Sequence, residues 1–262
     1  MKPLPLALLA ALLALGGCRA ALPPAAPPPA LTTPEDLLSQ LHARQDRVQS
    51  FQARGRIVLI SPERRYAGSS LLLGQGPTTL RADVYDPLGR SLLGFSSDGR
   101  EVAILSLQEA KFYRGPATPA NLAAFLPPSV SLPQALKLLT AAVPLSPGPP
   151  ARQEFEAAQG QYLLEWQNRD GTPKERLWVE AQGLNPVKDD WLGEGGPNNF
   201  SVEWSDFGRL APHLPGKVIL RTYNPLAELR LTYSELQLNP VLTAADLTLQ
   251  PPPGVTVVPL RP

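Results

Sequence analysis

The placement of proline limits what this chain can become. Of 262 residues 32 are proline, and 20 of those fall in three stretches, 23–34, 116–150 and 251–262. Proline lacks a backbone donor and breaks helix interiors, so long helices are excluded there and regular structure must come from the intervals between. Those intervals carry a period of two. Phe200, Val202 and Trp204 alternate with Ser201, Glu203 and Ser205, and Leu229, Leu231 and Tyr233 with Arg230, Thr232 and Ser234. This is the pattern of strands with one buried face and one wet face.

Strands are expected near 51–60, 66–73, 78–85, 91–97, 100–107 and 110–114, separated by Pro, Gly and Asp clusters. Connections this short make them antiparallel neighbours. Asp98-Gly99 is a hairpin-turn dipeptide, and it recurs at Asp170-Gly171, between Tyr162, Leu164, Trp166 and Leu177, Val179. Helix starts are few. Thr33-Pro34-Glu35-Asp36 places a hydroxyl cap, a first-turn proline and two carboxylates in the order a helix N-terminus favours. Leu37, Leu38, Leu41, Val48 and Phe51 then share one face, with His42, Arg44, Asp46 and Arg47 facing water. Thr118-Pro119 and Ser131-Leu132-Pro133 begin two further short helices, with apolar stripes Leu122, Phe125, Leu126 and Leu136, Leu139, Val143. Residues 251–262 read as irregular.

About eleven or twelve strands, three short helices and no break in pattern imply a single domain over 34–262. Its expected class is mainly β: an open, unclosed antiparallel β-barrel of about eleven strands, with short helices covering the concave face. An apolar interior of this kind suits an acyl chain. A filled core is the alternative that the pattern leaves open.

The N-terminus reads as a processing signal. Met1-Lys2 precedes a charge-free apolar run from Leu4 to Gly17, shorter than the roughly 20 residues that span a bilayer as a helix. The run ends Leu15-Gly16-Gly17-Cys18, which resembles the bacterial lipobox, and Cys18 is the single cysteine of the chain. Residues 1–17 are thus expected to be a lipoprotein signal peptide and Cys18 the lipidated mature N-terminus. Arg19 follows, in place of the Asp that resemblance to enterobacterial lipoproteins links to inner-membrane retention, so the expected location is the periplasmic face of the outer membrane. Residues 18–33 form a Pro-rich tether; in extended polyproline form sixteen residues reach about 50 Å.

Charge names no partner. The chain has 24 Lys and Arg against 23 Asp and Glu, a net charge of +1, which excludes the basic field of a nucleic-acid-binding protein. Removing residues 1–17 takes away Lys2 and leaves the charges balanced. One Cys and two His exclude a disulfide framework and a Cys/His zinc site. His42 falls on the polar face of the first helix, His213 lies between two prolines, and no Gly-x-Ser-x-Gly elbow is present. Gly193-Glu194-Gly195-Gly196 lacks the Lys-Ser/Thr of a phosphate loop. Asp189 and Asp190 read as a solvated loop rather than a surface cation site. No enzyme activity, cofactor or metal is expected.

One resemblance joins these features. After the lipobox, tether and first helix comes Phe51-Gln52-Ala53-Arg54-Gly55-Arg56, then Ile60-Ser61, a strand beginning Tyr66-Ala67, the loop Asp86-Pro87-Leu88-Gly89 and a helical insert containing Pro133. Over residues 15–150 this order resembles the LolB family of outer-membrane lipoprotein receptors, within the LolA/LolB-like lipoprotein localisation proteins, and beyond it a looser set of uncharacterised lipoproteins of the same fold. The resemblance implies a monomer that receives acylated lipoproteins from a LolA-like periplasmic carrier and inserts them into the outer membrane. It implies Cys18 as the lipid anchor, and Leu88, between Pro87 and Gly89, as the exposed apolar tip that touches the membrane. Two departures stand out: Asp86 occupies the family's Asn position, and Ser69–Leu73 lacks the family's aromatic residues, so a differently shaped pocket is expected. The alternative is a structural or interaction lipoprotein of the envelope, with a filled barrel that docks a protein partner.

Cys18→Ala is expected to abolish lipidation and release the protein from the membrane, because its balanced charge supplies no second attachment. Fractionation of the envelope tests this; a correctly processed, membrane-bound variant would remove the lipobox assignment.

Overall fold

The computed structural model of the chain describes residues 33–62, 65–123, 126–127, 130–193 and 199–261. Cys18, the signal peptide and the tether up to residue 32 lie outside them. Helix α1 (Pro34–Gln45) leads into a meander of β1 (Ser50–Ile60), β2 (Arg65–Gln75), β3 (Thr79–Tyr85), β4 (Ser91–Ser97), β5 (Glu101–Ser106) and β6 (Lys111–Pro116). Two short helices, α2 (Pro119–Leu122) and α3 (Leu132–Leu139), interrupt the sheet sequence. A second meander follows: β7 (Arg152–Glu156), β8 (Gln161–Gln167), β9 (Pro173–Glu180), β10 (Pro186–Trp191), β11 (Phe200–Ser205), β12 (Lys217–Tyr223) and β13 (Leu226–Leu238). Helix α4 (Ala244–Leu247) and β14 (Thr256–Pro259) complete the described chain.

All fourteen strands belong to one sheet, in the order β14-β6-β5-β4-β3-β2-β1-β13-β12-β11-β10-β9-β8-β7. The sheet does not close, since β14 and β7 are its two edges, and β1 joins the meanders by pairing with β2 on one side and β13 on the other. The mainly β, open architecture expected from the sequence is therefore present, with fourteen strands in place of about eleven.

The helix starts follow their caps. Thr33 Oγ1 accepts the Asp36 N–H at 3.1 Å, and Ser131 forms a reciprocal capping box with Gln134 at the start of α3. Leu37, Leu38 and Leu41 of α1 and Leu132, Leu136, Leu138 and Leu139 of α3 enter the same core as Phe51, Phe95, Leu164, Val202 and Tyr233 of the sheet. Two expectations for this region need correction. Phe51 belongs to β1 and not to the first helix. Arg44 does not face water: it is half-buried, and its Nη1 donates to the carbonyls of Gly183 at 3.1 Å and Leu184 at 2.9 Å.

The tail corrects a third. Residues 256–259, expected to be irregular, pair in parallel with β6, from Thr256 against Lys111 to Pro259 against Arg114. The branched residues Val257 and Val258 suit a strand, and Pro259 is tolerated because it lies on an edge. Before it, the 244–255 segment crosses the convex face. Leu249 donates its N–H to Ser96 Oγ at 3.1 Å and packs in a second cluster with Ala103, Leu105 and Phe112.

The β1–β13 seam carries a bulge. The register shifts between Arg54 opposite Glu235 and Gly55 opposite Tyr233, which leaves Ser234 over. The extra residue changes the parity of β13, so that Leu238 and Leu236 below the bulge and Tyr233 and Leu231 above it all turn toward the core. Gly55 is required at this point, since a Cβ there would lie 2.2 Å from the Thr232 carbonyl oxygen. Gly55→Ala is expected to cost about 1–3 kcal/mol through overpacking. Urea unfolding measures it, and an unchanged midpoint would show that the seam yields without strain.

Candidate functional site

The concave face is closed by a lid that the sheet itself holds. Helix α3 has 8 residues, too few for independent stability in water, and its last carbonyls, which Thr140, Ala141 and Ala142 cap only at Lys137 and Leu138, are open to further donors. The sheet supplies them. Trp204 Nε1 of β11 donates to Leu138 O at 2.8 Å, and Tyr233 Oη of β13 donates to Leu139 O at 2.9 Å. Farther along the same segment, Trp166 Nε1 of β8 donates to Gly148 O at 3.0 Å. Glu175 of β9 accepts the Ser146 N–H through Oε2 at 2.7 Å. Four inward-facing side chains from four strands thus hold residues 138–148, and burial pushes the Tyr233 phenol far above its usual range, so it stays a donor.

Sequence reasoning places Trp166, Trp204 and Tyr233 on strands without assigning them these contacts, and it does not single out Glu175. The available signal was polar heads on buried aromatic residues, because a buried Trp or Tyr in an alternating strand needs a partner for its N–H or O–H.

The interior under this lid is filled by lid side chains. A hollow of about 420 Å³ opens at the lower rim, where β1 begins, between Gln45 and Asp46 after α1, Gly76 and Pro77 after β2, and Leu136 and Lys137 of α3. Its volume lies within the range of ligand pockets, roughly 300–1,000 Å³. Phe51 and Leu136 give it an apolar floor, and the exposed Gln49, Gln75 and Lys137 a polar mouth.

The opposite, upper rim carries the apolar tips. Pro87, Leu88 and Gly89 form the β3–β4 turn, with Leu88 79% exposed. Asp86 fixes that turn: Oδ1 accepts the N–H groups of Leu88 at 2.8 Å and Arg90 at 2.9 Å, and Oδ2 accepts Arg90 Nε at 2.7 Å. Its hydrogen bonds to Arg90 lead the effects that hold the carboxyl below its usual range. The acid at this position therefore makes the backbone contacts that an amide oxygen could make and adds an ion pair. Gly89 takes φ +78°, which only glycine adopts without strain. Three more exposed apolar side chains share this rim: Leu107 in the β5–β6 turn, and Tyr223 and Leu226 at the β12–β13 turn. Ile60 at the end of β1 faces both Arg65 and Glu228, which sets the β1–β2 and β12–β13 turns at the same end.

Other candidates behave differently from their sequence reading. Asp189 and Asp190 are not in a solvated loop: both are buried within β10, Asp189 on the inward face between Leu177 and Val202, and Asp190 on the outer face with Lys188 Nζ at 2.6 Å. Alternation through Val187 and Trp191 carries them into the strand. His42 is exposed on α1. His213 Nδ1 contacts Asn185 Oδ1 at 2.9 Å. Of the glycine run only Gly193 is described, at φ +69°. Among the described residues no group of three His, Cys, Asp or Glu side chains forms a metal site, and no helix is long and apolar enough to cross a membrane.

Tyr233→Phe keeps the ring and removes the donor to Leu139. It is expected to lower stability by about 1–2 kcal/mol and to speed amide exchange in residues 132–139 more than in β1. Equal changes in both would show that the hydroxyl supports the whole sheet rather than the lid.

No family model matches the sequence, and no protein with a curated description does. Solved structures do match the fold. A LolA superfamily protein from Nitrosomonas europaea is 18% identical at a TM-score of 0.53, covering 84% of this chain and 99% of its own. A domain assigned to outer-membrane lipoprotein sorting from Vibrio parahaemolyticus is 11% identical at 0.52, covering 81% and 94%. A DUF1329 family protein from Desulfovibrio piger is 11% identical at 0.54, covering 82% and 95%. An unclosed antiparallel sheet with helices in its concave face is common to the expectation and the finding, and the fold of this chain is LolA/LolB-like.

Proposed function

We propose that the protein is a lipid-anchored receptor of the outer membrane that takes the acyl chains of lipoproteins under the α1/α3 lid and passes them into the bilayer. The observation that carries this reading is the lid: an apolar concave face covered by short helices and the segment after α3, held by leucine contacts and a few hydrogen bonds. An acyl chain replaces leucines with methylenes, so apolar surface stays buried as the lid moves aside. Each methylene kept from water is worth about 0.8 kcal/mol, which is why acylated proteins need an escort across an aqueous space. The LolA-type fold supports the same reading, and a LolA-like carrier is the donor it implies.

Delivery belongs to the upper rim. Leu88, Leu107 and the paired Tyr223 and Leu226 project from three separate turns of that rim. A protein partner needs a continuous complementary surface, whereas a fluid acyl phase accepts isolated tips. The anchor at Cys18 and the tether to residue 33 allow that rim to reach the membrane. A second reading, a structural lipoprotein that docks a partner, draws on one observation: the space beneath the lid is filled by the protein's own side chains.

The mature chain, residues 18–262 purified without lipid, separates the two. The receptor is expected to bind an acyl-like fluorescent probe and to take a lipoprotein from the carrier; failure of both favours the structural reading. Leu88→Glu is expected to change stability by less than about 0.5 kcal/mol, as at other exposed sites. It should leave acceptance intact and stop delivery to vesicles. Undiminished delivery would place the membrane contact elsewhere, and unfolding would place Leu88 in the core.

A further inference from the structure

We propose that Glu175 and Asp189 form a proton-controlled latch for the lid, closed while the pair holds a proton and loosened when it is lost. Both residues are 0% exposed. The β9–β10 register sets Asp189 opposite Leu177 and Glu175 opposite Trp191, so the two carboxyls are diagonal neighbours on the inward face. Neither oxygen of Asp189 has a hydrogen-bond partner, nor has Glu175 Oε1 or Ser146 Oγ.

Among the described residues neither Glu175 nor Asp189 forms an ion pair. The charges acting on Asp189 are Glu175 and Asp190, both negative, and Asp190 is turned outward to Lys188. Against burial, Glu175 has the Ser146 hydrogen bonds and, smallest, the attraction of the preceding Lys174. Its remaining neighbours on this face are Trp166 of β8 and Ser146 of the lid segment. Two ionised carboxylates in such a place are strongly disfavoured, and a retained proton supplies the donor that the unpartnered oxygens lack. Burial accordingly pushes Glu175 up to about 7 and Asp189 well above the usual carboxyl range. The lid enters through Ser146, whose N–H bonds Glu175 Oε2 at 2.7 Å.

The direction follows from linkage. With the lid displaced, water reaches the pair and both groups return toward their ordinary values, 4.5 for Glu175 and 3.8 for Asp189. Closure is then at full strength below those values. For Glu175 it weakens by about tenfold per pH unit as pH rises from its open-state value to about 7, where the proton is lost from the closed form as well. Asp86, Asp98 and Asp170 are held low by turn hydrogen bonds, so their contribution is lost only in acid. His213 lies near Arg44 of α1; burial first, and then that Arg, lower its pKa below 6.5, which leaves it mostly neutral above that pH. The latch goes beyond the receptor reading; only its consequence, cargo uptake governed by proton activity, rests on it.

Amide hydrogen exchange on the whole mature chain tests the latch. After correction for intrinsic rates, protection of residues 132–148 is expected to fall between about pH 5 and 7 by up to about tenfold per unit, while β1 and β13 hold theirs. Glu175→Gln and Asp189→Asn should each flatten that fall, and if one of them fails to fold, the wild-type slope and the other variant decide. A wild-type lid with pH-independent protection, or slopes unchanged in the variants, overturns the proposal. A pH-dependent lid that takes up no acyl probe at either pH keeps the latch and removes the receptor. Probe uptake with a pH-independent lid does the reverse.

Discussion

An unclosed sheet leaves an apolar face that must be covered, and everything else in this molecule answers that requirement. With β7 and β14 as separate edges, the strands cannot bury Phe95, Leu164, Leu177 and Val202 against one another as a closed barrel would. The cover comes from α1 and α3, neither long enough to be stable alone. Their leucines supply the apolar half of the contact. The polar half is supplied by the sheet, through Trp204 and Tyr233 on the terminal carbonyls of α3. Tyr233 is in position because the bulge at Ser234 turns it inward and Gly55 makes room for the displaced backbone. A glycine in β1 is thus coupled to the closing of a helix far away in sequence.

The alternation of Phe200 to Trp204 and of Leu229 to Tyr233 was sufficient to read strands, and the hydroxyl-proline pairs at Thr33, Thr118 and Ser131 marked three helix starts correctly. What remained illegible was covered by long-range structure. Val102, Ala103, Ile104 and Leu105 form a continuous apolar run, the sign of a strand buried on both faces. The element that covers the second face, around Leu249, lies more than a hundred residues away. Its continuation as β14 was hidden among prolines. Asp189-Asp190 misled in the opposite way, because adjacent acids suggest solvent, whereas strand geometry sends one outward to Lys188 and the other into the core.

At the candidate site, the turn at Pro87-Leu88-Gly89 was legible because its signals are local: a side-chain acceptor at Asp86, proline, and a glycine in the left-handed region. The lid contacts were not, since each pairs a strand residue with a carbonyl in the 138–148 segment. Leu107, Tyr223 and Leu226 were illegible for a related reason. Nothing in their local sequence separates an exposed apolar residue from a buried one until the register places their turns at one rim.

The two halves of the cover differ in how they respond to a guest. Leucine contacts are interchangeable with methylenes, so the apolar part of closure is nearly indifferent to whether a helix or an acyl chain occupies the concave face. The polar contacts are not interchangeable: an acyl chain offers no carbonyl to Trp204 or Tyr233 and no N–H to Glu175. A filled sheet would leave those side chains unpartnered in an apolar space, where each lost hydrogen bond costs about 1–3 kcal/mol. In the proposed receptor the bound state would therefore be held below the tightest affinity its apolar area allows. A receptor that must release its guest to a bilayer requires an interior that discriminates against permanent occupation, and under that proposal the same four residues that close the lid would meet the requirement.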